Sequence, residues 1–183
     1  PPSKWQSEAT MLRKSLTAFA CAAAAALSVH ADAADAQRQA EVAQRGPDVM
    51  PFSLKATQHV FTKTPDGGVQ KVVARNTADS EQVKLVRGHL RDIQTQFLKG
   101  DFSGPTHIHG AEMPGLAELR AAKPGQIAIE YKEVAGGAQL TYRTAETKLA
   151  TALHSWFDAQ VSDHGHDAMA GHMHHDHGSM MKQ

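Results

Sequence analysis

The chain has 183 residues, with 19 Lys and Arg balanced by 19 Asp and Glu, and a single cysteine, Cys21. Zero formal charge, with no Lys/Arg block or basic helix face beyond the N-terminal region, leaves no footprint for neutralising phosphates, so nucleic-acid binding is not expected. Cys21 lies in an apolar segment read below as cleaved, which removes disulfides, thiolate ligands and a cysteine nucleophile from the mature chain.

In chain order, residues 1–10 have no apolar periodicity and read as an upstream extension. Residues 11–33 have the three parts of a secretory signal peptide: Arg13 and Lys14, an Ala-rich run from Leu16 to Val29, and small residues at Ala31 and Ala33. Ala18 stands where a lipoprotein signal wants Leu, so Cys21 is read as a bystander rather than a lipid acceptor. The apolar run is short of the roughly 20 residues that span a bilayer, and no second run follows, so the expectation is a soluble periplasmic or secreted protein without a membrane span. Residues 34–49, rich in Ala, Gln and charge and ending in Gly46-Pro47, read as a flexible leader or frayed helix rather than core.

Residues 50–163 are expected to form one domain. Leu54 to Lys63 and Val69 to Arg75 are β-type runs flanking Pro65-Asp66-Gly67-Gly68, which predicts a hairpin. Asn76 to Asp79 offers helix caps, and Val83, Val86, Leu90, Ile93 and Phe97 recur at helical spacing up to Gly100. Thr106-His107-Ile108-His109-Gly110 reads as part of a loop, and a short helix runs from Met113-Pro114-Gly115 to Ala122. Gln126 to Val134 and Ala138 to Thr144 then repeat the hairpin around Ala135-Gly136-Gly137. A helix capped by Thr144 to Glu146 follows, its Leu149, Leu153, Trp156, Phe157 and Val161 facing a core. The expected fold is α+β: two ββα units forming a four-stranded, mainly antiparallel sheet with two long helices on one face.

The chemistry is concentrated in histidine and methionine. Residues 164–183 read as a disordered, metal-binding tail carrying His164, His166, Met169, His172, Met173, His174, His175, His177, Met180 and Met181. Imidazole suits Cu, Zn and Ni, and thioether favours Cu(I), so the mixture points to copper, with zinc or nickel as alternatives. Inside the domain, His107 and His109 would point the same way on extended backbone and chelate one ion, with Glu112 beside them and Met113 closing the site. His89 and His154, one on each long helix, are candidates to converge on a metal or haem iron, and Gly88 before His89 suggests a close packing partner. His59 is read as a surface residue of the first strand. No nucleophile motif, H-E-x-x-H or phosphate-cradling loop occurs, so catalysis is not the primary expectation.

From Met50 to about Asp167 the chain resembles a group of small exported bacterial proteins that share MPFSL, an HVFTKT-like strand, GDFS, HIHG followed by MPGL, and WFDAQVSDHG. Here these are Met50 to Leu54, His59 to Thr64, Gly100 to Ser103, His107 to Gly110 with Met113 to Leu116, and Trp156 to Gly165. Some members of the group carry the label aspartate carbamoyltransferase. This chain has neither the S-T-R-T nor the H-P-x-Q segment of that enzyme and is too short for its two Rossmann-like halves, so that activity is not expected.

The functional expectation is a periplasmic metal-binding protein that buffers, sequesters or delivers copper through its tail. Its expected partners are metal ions, a metal-delivery protein and a second copy of itself. The alternative is a haem-binding or metal-dependent enzyme using the histidines of the folded part.

Overall fold

The structure is a computed structural model that describes residues 35–172. From Gln39 on these residues belong to one compact unit, and residues 35–38 belong to another. The segment read as a signal peptide, and the tail from Met173 onward, lie outside the described residues.

β1 (Thr57–Thr64) and β2 (Gly67–Ala74) pair antiparallel, as do β3 (Ala128–Val134) and β4 (Gly137–Arg143). Turn chemistry dictates both hairpins. β2 also pairs antiparallel with β4, so the hairpins join through their second strands. The expected four-stranded antiparallel sheet is corrected by a fifth strand, β5 (Ala168–Ala170), which runs parallel to β1 and makes the sheet mixed, in the order β3-β4-β2-β1-β5. Without β5 the outer edge of β1 would offer unpaired backbone groups, and an Ala-Met-Ala segment supplies partners for them without any apolar alternation to announce it. Gly171 N extends the pairing by donating to Phe61 O at 2.8 Å.

One face of the sheet is buried, with His59 and Phe61 of β1, Val72 of β2, Leu140 and Tyr142 of β4 and Ile129 of β3 turned into it. Over this face lie α2 (Ser80–Leu98) and α5 (Thr147–His164). Asp79 caps α2, its Oδ1 accepting from Gln82 N at 3.1 Å, and Val86, Leu90, Ile93 and Phe97 form its buried stripe. In α5, Leu149, Leu153, Trp156 and Phe157 are buried. α2 packs mainly over β3 and β4, whereas α5 packs over β1, β2 and β5. Each long helix therefore covers the hairpin that it does not directly follow.

Two segments differ from the sequence expectation. Residues 35–45, read as a leader or frayed helix outside the core, form a helix, α1, whose Val42 is fully buried, and Gln39 Nε2 donates to Ser162 O at 3.0 Å near the end of α5. Ala, Gln, Glu and Arg favour helix, but one buried valine is no stripe, so periodicity misses it. At the other end, residues 164–170 are ordered structure rather than tail, because α5 continues to His164 and β5 docks on the sheet. Arg75 holds this region, donating to His166 O at 3.1 Å and lying 3.5 Å from Asp167. Between the two ββα units come α3 (Ser103–His109) and α4 (Leu116–Ala121), the latter close to the predicted short helix.

Candidate functional site

The His-Ile-His segment is helical rather than extended. Asp101 Oδ1 accepts from Ser103 N at 3.0 Å at its start, and Gly110, with φ +84°, ends it. Residues two apart on a helix point about 200° apart. The expected chelating pair is therefore split. His107 faces outward, its Nε2 2.9 Å from Asp48 Oδ2, both side chains more than half exposed. His109 faces inward and is 3 % exposed. Met113 joins neither, being packed in the apolar core, and Glu112 is exposed.

His109 meets the end of α5. Its Nδ1 lies 2.8 Å from Asp163 Oδ2. An ionised carboxylate only accepts, so Nδ1 is the nitrogen that donates. The ring centre of His109 is 5.0 Å from that of His164, edge to face at 81°. His164 in turn lies flat against His59 of β1, with centres 5.3 Å apart and planes 2° from parallel. Three imidazoles from α3, α5 and β1 thus form one contiguous cluster.

This cluster walls a cavity of ≈ 40 Å³ between sheet and helices, together with His89 of α2 and Met50. The remaining wall is mostly apolar, with Gln70 and Gln160 as further polar groups. Burial, chiefly, pushes His59 down to about 4, with neighbouring His89 and His109 lowering it further and the Asp167 backbone opposing. His164 is pushed down to about 2 by burial, then by His59 and His109. His89 falls to about 4, also through burial. These three rings are neutral at pH 7. His59 Nδ1 is buried with no hydrogen-bond partner, an unusual cost for a polar atom in a packed interior. Among the described residues, no three His, Cys, Asp or Glu side chains are placed so that together they could hold a metal ion as the rings now stand.

The other predicted residues are dispersed. His154 does not converge with His89: its Nε2 is 2.9 Å from both Thr64 O and Gly67 O, so it clasps the β1–β2 turn. His89 instead lies edge-on to Phe52, with ring centres 5.5 Å apart. Gly88 is exposed, and a side chain there would meet nothing within 4 Å, so it marks no packing partner. His166, Met169 and His172 are exposed or half-exposed along the β5 segment, while Met173, His174, His175 and His177 lie outside the described residues.

Sequence reasoning missed His59, Asp163 and Met50 as parts of this site. For His59 a signal existed: on a strand it shares a face with Phe61, two residues on, and that large apolar ring marks the buried face. Asp163 and Met50 carried none, since only the chain's return brings them to the cluster. No helix among the described residues is long and apolar enough to cross a membrane. Comparison with family models finds no match, and comparison with curated proteins and with solved structures finds none either.

Proposed function

We propose that this is an exported metal-binding protein that captures copper through its histidine- and methionine-rich C-terminal run and holds that run at a histidine-lined end of the domain. The observation that carries this reading is the position of His164. It is the last residue of α5, the first histidine of the run and a wall of the imidazole cluster. β5 then pins the following residues along β1, so the ligand-rich run starts from a fixed place. Mixed imidazole and thioether donors support copper over harder ions. A signal-peptide-like segment and a ligand set without thiols fit an oxidising compartment.

The test compares the full chain with one in which His172, Met173, His174, His175, His177, Met180 and Met181 are all replaced by Ala. Titration with Cu(I), Cu(II), Zn(II) and Ni(II) is expected to show selective copper uptake by the full chain, most of it lost in the variant. Equal uptake by the two removes the tail from the function. The changes begin after β5, so the sheet stays intact in both.

A further inference from the structure

We propose that His59, His109 and His164, backed by Asp163 and joined by the Met50 thioether, form a buried site for a single copper(I) ion inside the folded domain. The inference goes beyond the tail reading, because none of these ligands lies past His164.

The first support is spacing. Two imidazoles on one ion, at nitrogen–metal distances near 2.0–2.1 Å and a tetrahedral angle, have ring centres about 5 Å apart. His109 and His164 stand at 5.0 Å, and His164 and His59 at 5.3 Å. The rings are thus at coordinating separation, although His59 and His164 lie face to face. Because the planes of His59 and His164 are 2° from parallel, at least one of these rings has to turn for both to bind one ion, and χ2 of histidine is a soft torsion.

The second support is the unpartnered Nδ1 of His59, on a side chain that is 3 % exposed and walls the cavity. A buried nitrogen lone pair without a partner is costly, and a metal bond would satisfy it. His109 is oriented as metal-ligating histidines often are, with Nδ1 at 2.8 Å from a carboxylate.

The third support identifies the ion. The lining has imidazoles and one thioether but no carboxylate, a donor set for soft and borderline ions. The desolvation cost of a buried ion rises with the square of its charge, so a cavity with apolar walls disfavours an unbalanced divalent cation. Asp163 supplies one negative charge behind His109, which balances one monovalent ion. The ≈ 40 Å³ cavity suits an ion and little more.

Cu(I) is titrated, against a colorimetric Cu(I) chelator, into the full chain carrying the tail substitutions above and into the same chain with His59→Phe or His164→Phe. The expected result is one retained equivalent, weakened at least 100-fold by either cluster substitution. Histidine 15N NMR of the chain with its native cluster should move the His59, His109 and His164 ring resonances on adding one equivalent, which guards against a variant that fails to fold. No retained equivalent, unmoved cluster resonances, or one equivalent indifferent to both substitutions overturns the proposal. One equivalent of Zn(II) held in preference to Cu(I) overturns the choice of ion. Failure of the tail reading shows separately, as equal total uptake with and without the tail substitutions.

Discussion

His109 Nδ1 and Asp163 Oδ2, 2.8 Å apart, tie the last residue of α3 to the end of α5, with the imidazole 2 % and the carboxylate 11 % exposed. The bond sets the orientation of the His109 ring. Asp163→Asn keeps the shape and an accepting oxygen but removes the charge. We expect it to cost about 1–2 kcal/mol in urea unfolding. Copper(I) affinity of the internal site should fall about 10–100-fold with near-UV circular dichroism unchanged. Unaltered affinity would mean that Asp163 does not orient a ligand.

Stability should depend on pH in a defined window. His59 and His89 are held at about 4 and His164 at about 2, against 6.5 for an ordinary histidine, with burial the first cause in each. Because these folded-state values are depressed, the unfolded chain binds more protons below 6.5. The stabilisation is complete above that pH and is lost as pH falls from 6.5 towards 4, with His164 carrying the loss lower. Each group contributes at most about 1.4 kcal/mol per pH unit. Urea midpoints are expected to be clearly lower at about pH 5 than at about pH 7.5, and equal midpoints would contradict the burial of neutral rings.

Gly88→Ala should stabilise the protein. The residue is exposed within α2, and its new methyl group would touch nothing within 4 Å. The expected gain is about 1 kcal/mol, read as a higher urea midpoint at unchanged slope.

Gly115→Ala should do the reverse. With φ +78° the position is left-handed, and a Cβ there would run into the Ala152 carbonyl oxygen of α5. Strain and clash together are expected to cost well over about 1 kcal/mol, whereas the same change at Gly88 raises the midpoint.

The β5 pairing predicts the effect of shortening the chain. A chain ending at His172 keeps β5, while one ending at Asp167 exposes the edge of β1. We expect the shorter chain to self-associate in sedimentation velocity and the longer one to remain unchanged in size. Identical behaviour would show that β5 does not protect that edge.

Much of the fold was legible because its signals are short-range. Gly67-Gly68 and Gly136-Gly137 turn the chain locally into β2 and β4, and the Val86 to Phe97 stripe makes α2 amphipathic whatever it packs on. α1 and β5 were not legible: the first has one buried valine and the second three small or exposed residues, and both owe their form to docking. The His-Ile-His segment was misread because its spacing fits a strand as well as a helix, and the Asp101 Oδ1 bond to Ser103 N at the start of that helix lies several residues upstream.

The sequence by itself determined the α+β class, the two hairpins, the two long helices and the donor chemistry, since each follows from neighbours within a turn or a strand. Only the tertiary structure decided which donors meet. His59, His109 and His164 come from a strand and two helices far apart in the chain, and His107 is sent outward while His109 is sent in. That selection depends on how α5 and α3 pack over the sheet face that carries His59, a long-range arrangement that no local residue pattern encodes.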